Sequence, residues 1–133
     1  MITEDYVSFE TAKLLKEKGF DEEIETIITP DGRIYYVDEN SVSRVIHTKI
    51  KNSNINIYSE DCSCPTLQMA IKWLRKIKEC PIEILWHWDS DNQCEKWYFR
   101  HHLELREQPQ IEYFDEPEQA AEAAIKYCLE NLI

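Results

Sequence analysis

The chain has 133 residues and a mass of 15.9 kDa, a size that predicts one domain with one core over residues 1–133. With 43% hydrophobic and 31% charged residues, its composition excludes an intrinsically disordered chain. The net charge of −11 disfavours broad contact with nucleic acid or with an anionic membrane, because both attract cationic proteins.

The first predicted helix has clear signals at both ends. Ser8 can accept a hydrogen bond from a backbone N–H of the first turn, and Val7 before it can pack back onto Ala12. Gly19 supplies the left-handed conformation of a Schellman cap, in which Phe20 packs back onto the helix.

A hairpin is predicted next, followed by two less regular strands. Residues 24–29 and 33–37 are rich in β-branched and aromatic side chains, and they flank the turn sequence Pro30-Asp31-Gly32. A second turn is predicted at Asn52-Ser53-Asn54. The strands predicted around it cover Val42–Ile50 and Ile55–Tyr58.

Two more helices are predicted from apolar side chains at helical spacing. One opens at Pro65 and Thr66 and runs to about Glu79, and the other starts at Asp115. The sequence Asp115-Glu116-Pro117-Glu118 is typical of a capping box. The side chains predicted to be buried are Leu67, Ala70, Ile71, Leu74 and Ile77, and then Ala121, Ala124, Ile125, Cys128, Leu129 and Leu132.

Between these helices, two strands alternate apolar and polar side chains. The alternation predicts a hairpin in which Trp86 lies opposite Trp97 and Ile84 lies opposite Phe99, with residues 90–93 as the turn. The whole chain therefore predicts an α+β fold. An antiparallel sheet would carry the helices on one face, as an N-terminal helix followed by two ββα-like units.

The chain has only two glycines, and folding needs both. Gly19 ends a helix and Gly32 completes a turn, whereas loops that cradle phosphates need several glycines. A Rossmann fingerprint, a Walker loop and a GxSxG nucleophile elbow are therefore excluded, and no cofactor is expected.

Five cysteines raise the question of a metal site or a redox pair. One residue separates Cys62 from Cys64, which is less than the usual zinc spacing, and a helix of about 20 Å separates them from Cys80. The remaining cysteines are Cys94 and Cys128, and an odd number in a chain of this size is typical of reduced cytoplasmic thiols.

The main catalytic candidate is a group of histidines in the long hairpin. His87, His102 and Asp89 share one predicted face, which suggests a small metal-dependent hydrolase as one alternative. His101 is predicted on the other face as a hydrogen-bonded core histidine. Because no fixed motif such as HExxH supports a metal, a polar sheet face is favoured. No catalytic, cofactor-binding or metal-binding residue is assigned.

Four tryptophans have two interpretations. Trp73, Trp86, Trp88 and Trp97 would form a stacking platform for bases or sugars if they were exposed, or part of the core if they were buried. Core packing is the favoured prediction, because three of them share one predicted sheet face and Trp73 lies on a helix.

Charge is unevenly distributed along the chain, with a basic segment over residues 44–80 between acidic flanks. Such a surface suggests contact between the basic patch and the acidic flank of a second copy or of another protein. The carboxylates of Asp115, Glu116, Glu118 and Glu122 suggest a second alternative, an acidic nucleic-acid mimic that inhibits a DNA-binding enzyme.

Three segments carry a resemblance to a known family. They are ITEDYVSFE with AKLLKEKGFD at the start, PTLQMA with KWLR in the middle, and AAIKYCLENLI at the end. These segments resemble a family of small uncharacterised proteins of gut Bacteroidales and their phages or prophages. The resemblance implies a cytoplasmic accessory protein carried by mobile DNA, and it brings no activity, ligand or catalytic residue.

These observations predict a non-enzymatic protein-binding module of mobile-element or phage origin. Its partner would be another protein or a second copy, as a homodimer, and neither a membrane nor nucleic acid is expected to bind. A cytoplasmic location is predicted because no secretory signal or membrane span is found in the sequence.

Overall fold

The structure is a computed structural model that describes residues 5–40, 45–47, 49–56 and 58–133. The chain divides into two compact units, Met1–Thr66 and Leu67–Ile133. Each unit combines α-helix with antiparallel strands, so the α+β fold is confirmed, whereas the single domain stays a prediction. None of the helices in the described ranges is long and apolar enough to cross a bilayer.

Helix α1 of the first unit spans Phe9–Glu17, and its ends follow the sequence signals. The Thr11 N–H donates to Ser8 Oγ at 3.3 Å. Gly19 has a φ of +94°, and the Phe20 N–H donates to the Leu15 carbonyl at 2.8 Å, as in a Schellman cap. Both predicted caps are confirmed.

The described residues of the first unit form two small antiparallel sheets. The predicted hairpin is present, since Ile28 lies opposite Ile34 around a turn in which Gly32 has a φ of +88°. Helix α1 packs against β5 (Cys62–Ser63), which is a strand of the same sheet as this hairpin. The sheet has the order β2-β1-β5, from β1 (Thr26–Ile28), β2 (Ile34–Tyr36) and β5 (Cys62–Ser63), and the second sheet pairs β3 (Asp38–Asn40) with β4 (Val45–His47).

The prediction for residues 42–58 was wrong at its turn. Asn52–Asn54 form a short 3-10 helix, and Asn52 is buried. Its Nδ2 donates to the Phe20 carbonyl at 2.7 Å, and its Oδ1 accepts from the Ser63 N–H at 2.9 Å. Asn52 therefore connects the segment after α1 to the segment around Ser63 by hydrogen bonds, and it is not part of a hairpin turn. Strand β4 falls within the predicted Val42–Ile50, although residues 41–44 and 48 lie outside the described residues. Residue 57 of the predicted Ile55–Tyr58 strand also lies outside them, and the described part of that segment forms no strand.

The second unit ends in the predicted ββα arrangement. Strands β6 (Ile82–Asp89) and β7 (Cys94–His101) form a two-stranded hairpin. Helix α3 (Pro117–Asn131) packs against both strands and against α2 (Leu67–Ile77). Trp86 lies opposite Trp97, and Ile84 lies opposite Phe99, so the predicted register is confirmed.

Details at the ends of two helices differ from the predictions. The α3 capping box begins at Glu116, whose N–H donates to Gln119 Oε1 at 3.2 Å, while Asp115 bonds Lys96 instead. This shift arises because mutual backbone bonds to β7 keep the chain extended up to residue 114. Ile77 is exposed because it lies in the last turn of α2, and Leu132 follows the end of α3 and is only half-buried.

Candidate functional site

The half of β6 next to the turn carries exposed aromatic side chains. Trp86 is 55% exposed and Trp88 is 47% exposed, and their ring centroids lie 6.4 Å apart. Both share a sheet face with Phe99, whose ring lies 6.0 Å from that of Tyr127 on α3. Helix α3 thus covers this face where β6 begins and leaves the two tryptophans in solvent.

Core packing was therefore the wrong prediction for two of the four tryptophans. Trp73 is buried, with 4% exposure, as predicted, and Trp97 is half-buried. The alternation of side chains correctly placed Trp86 and Trp88 on the apolar face. It carried no information on how far along the strand a helix would cover that face.

The opposite face of β6 is also open near the turn. His87 is exposed and stacks on Tyr113 with ring centroids 4.7 Å apart. Tyr113 precedes Phe114, whose backbone N–H and C=O bond those of Trp97 at 2.7 and 2.8 Å. This contact was not predicted from the sequence, although the alternating Ile111 and Tyr113 were a weak signal of extended chain.

The outer edge of β6 presents backbone groups that no described residue bonds. The His102 N–H donates to the Pro81 carbonyl at 2.9 Å, so odd-numbered residues of β6 direct their backbone groups towards β7. The even-numbered residues therefore direct theirs outwards, and within the described residues no strand other than β7 pairs with β6. We call the outer edge of Ile82–Asp89, with the side chains of Trp86, His87 and Trp88, the β6 surface.

The structure does not bring together His87, His102 and Asp89, the candidate residues of the metal-dependent alternative. His102 lies opposite Pro81, six residues from His87 along the strand, which is about 20 Å. Asp89 accepts hydrogen bonds from Asn92 in the turn, including its Nδ2 at 2.8 Å. Among the described residues, no three His, Cys, Asp or Glu side chains are arranged to hold a metal ion.

His102 instead takes part in a hydrogen-bonded cluster on Glu83. His102 Nε2 lies 2.8 Å from Glu83 Oε2, and Arg100 Nε and Nη2 each lie 3.2 Å from the same oxygen. The hydrogen bond from His102, and to a smaller extent those from Arg100, lower the pKa of Glu83 below its usual value. Glu83 was not singled out from the sequence, although the predicted register already placed it opposite Arg100.

His101 is the hydrogen-bonded core histidine that was predicted. It is 1% exposed, its Nδ1 accepts from the Leu103 N–H, and its Nε2 lies 2.9 Å from the Glu107 carbonyl. These partners assign the ring proton to Nε2, which donates to the Glu107 carbonyl. The ring therefore holds the loop that follows β7 and is closed to solvent.

Four of the five cysteines are buried, and two of them form a pair. Cys62 and Cys64 belong to the first unit, whereas Cys80 Sγ lies 3.4 Å from Cys128 Sγ in the second. Burial raises the pKa of Cys80 and Cys128, so both remain thiols at neutral pH. The sequence placed Cys128 on the buried stripe of α3 and carried no signal of its partner.

A cavity of about 330 Å³ lies in the first unit beside α1. The Cys62 thiol lines it, and burial raises the pKa of this thiol despite the opposing effect of Lys16. A protonated thiol is a poor nucleophile, so the raised pKa argues against a nucleophilic role for Cys62 in this cavity. Its lining residues are Phe9, Lys13, Lys16, Glu17, Glu60 and Cys62.

Two of the acidic residues that suggested a nucleic-acid mimic are engaged within the chain. Asp115 bonds Lys96, and Glu116 forms the α3 capping box. A carboxylate held in this way is less free to stand in for a phosphate of a duplex.

No protein-family model, curated protein or solved structure matches this chain. The resemblance seen in the sequence stays a prediction.

Proposed function

We propose that this protein is a non-enzymatic protein-binding module that acts through the β6 surface. The observation that carries this proposal is the exposure of Trp86 and Trp88 side by side on one strand. Tryptophan is strongly enriched among the residues that dominate the free energy of protein–protein binding.

The backbone of β6 supports the same function. Among the described residues, no strand pairs with the outer edge of the eight-residue β6. Such an edge is a template for strand addition, in which backbone bonds give affinity and side-chain contacts give specificity. Exposed aromatic side chains on both faces at the same place leave room for a partner strand and its side chains.

The two alternatives have less support. A metal-dependent hydrolase would need His87 and His102 within one coordination shell, and a nucleic-acid mimic would need Asp115 and Glu116 free. As the sequence resemblance implies, we place the module in the cytoplasm as an accessory protein of mobile DNA.

Site-specific photo-crosslinking tests this function. We expect p-benzoylphenylalanine in place of Trp88 to give discrete crosslinked protein bands in cells that express the full chain. Tyr58 is the matched control position, because it is an aromatic residue with 90% exposure outside the β6 surface. Equal crosslinking from positions 88 and 58 would contradict the proposal.

A further inference from the structure

The β6 edge is complementary to itself. In an isologous dimer, two antiparallel copies of one strand meet at a two-fold axis perpendicular to the sheet. Side chains of facing residues point to the same face of the sheet, so each residue faces one that is an even number of positions away. The two-fold axis therefore passes midway between the two copies of one residue. The outward backbone groups belong to Ile82, Ile84, Trp86 and Trp88.

A two-fold axis at Leu85 gives the most favourable pairs of facing residues between the two β6 strands. Ile84 then lies opposite Trp86 of the second copy, with their outward N–H and C=O groups bonded to each other, and Ile82 lies opposite Trp88. On the other face, Glu83 lies opposite His87, a pair that avoids like charges. Both exposed tryptophans gain an apolar neighbour.

The neighbouring axes are less favourable. An axis at Trp86 places Glu83 opposite Asp89, two carboxylates on directly facing residues. An axis at His87 places Leu85 opposite Asp89 and faces the two His87 side chains with each other. Charge therefore disfavours the axes at Trp86 and His87.

An axis at Ile84, the neighbour on the other side, has no like-charge pair, but it places Trp88 opposite residue 80, before the start of β6. Leu85 is the axis that pairs both tryptophans within the strand without facing carboxylates.

We propose that two copies of this chain associate through β6, antiparallel and centred on Leu85, to form a continuous four-stranded sheet. This inference rests on the proposed function of the β6 surface and names its partner as a second copy.

Sedimentation equilibrium of the full chain tests the dimer. We expect twice the chain mass of 15.9 kDa for the wild-type protein. Ile84→Pro removes an outward N–H and leaves the β6–β7 bonds intact, so it should weaken the dimer by about ten-fold or more. Trp88→Arg should weaken the dimer, whereas Tyr58→Arg should not, and circular dichroism checks that each variant is folded.

Disulfide trapping tests the register. In the Leu85→Cys variant, the two new cysteines face each other in a non-hydrogen-bonded pair, with Cα atoms about 4.5 Å apart, within reach of a disulfide. In His87→Cys they are separated by about 13 Å along the strands. In a Cys94→Ser background, oxidation of the two thiols by diamide should give a disulfide-linked dimer for Leu85→Cys and not for His87→Cys.

Two results would overturn the inference: a monomer at about 100 µM, well above the Kd of a stable dimer, or equal trapping at positions 85 and 87. If position 88 still crosslinks to a different protein, the proposed function stands and self-pairing fails. If position 88 crosslinks no better than position 58, both fail.

Discussion

Asn52 and Ser63 are two buried polar residues of the first unit with unequal hydrogen bonding. The Asn52 side chain reaches the backbone of Phe20 and of Ser63. The Ser63 hydroxyl is fully buried and has no partner among the described residues. Burial of an unpaired hydroxyl costs free energy, whereas a satisfied amide contributes to stability.

Ser63→Ala should therefore raise the free energy of unfolding by about 0.5–1 kcal/mol, because it removes an unpaired hydroxyl. Asn52→Ala should lower it by about 2 kcal/mol or more, because it leaves two backbone groups without partners. Urea denaturation followed by circular dichroism measures both values. A loss of stability in Ser63→Ala would mean that its hydroxyl has an acceptor.

At the scale of the helices and strands, local sequence signals predicted most of the fold. The caps at Ser8 and Gly19, the turn at Gly32 and the register that pairs Trp86 with Trp97 are confirmed. Each depends on residues close in sequence or on the period-two alternation of a strand, which a single sequence displays.

What the sequence could not predict depends on contacts between distant residues. Asn52 resembles a turn residue until its bond to the carbonyl of Phe20, 32 positions away, is known. The exposure of Trp86 and Trp88 depends on where α3 lies across the hairpin. The alternation of side chains shows which face of the sheet each residue points to. It does not show how much of that face a helix covers.

The cluster of Glu83, Arg100 and His102 fastens the start of β6 to the end of β7, and its strength depends on pH. Because the folded-state pKa of Glu83 is lowered, its stabilising contribution is complete above its unfolded-state pKa and is lost as pH falls through the folded-state pKa.

His102→Ala should raise the pKa of Glu83 towards the ordinary value, although Arg100 should keep it below that value. Titration of the Glu83 carboxyl carbon by NMR measures this shift. Lys96→Ala is a matched control, because it removes a cation from the same sheet face, where Lys96 bonds Asp115. An unchanged pKa in His102→Ala would show that the cluster does not form in solution.

For the whole molecule, the net charge of −11 opposes the association of two copies, whereas burial of Trp86 and Trp88 favours it. These two effects respond differently to salt. Added salt screens the repulsion between the copies and leaves the hydrophobic contribution in place. An interface held by opposite charges would weaken under the same conditions.

The dimer should therefore become tighter with salt. At pH 8, where an ordinary histidine is neutral, the Kd should fall by about two- to three-fold between 50 and 500 mM NaCl, over which the Debye length shortens to a few Å. Sedimentation equilibrium at the two salt concentrations measures the change. The Tyr58→Arg variant, with less negative charge and an intact β6 surface, should depend less on salt than the wild-type protein. A Kd that rises with salt would mean that charge attraction, and not burial of the tryptophans, holds the two copies together.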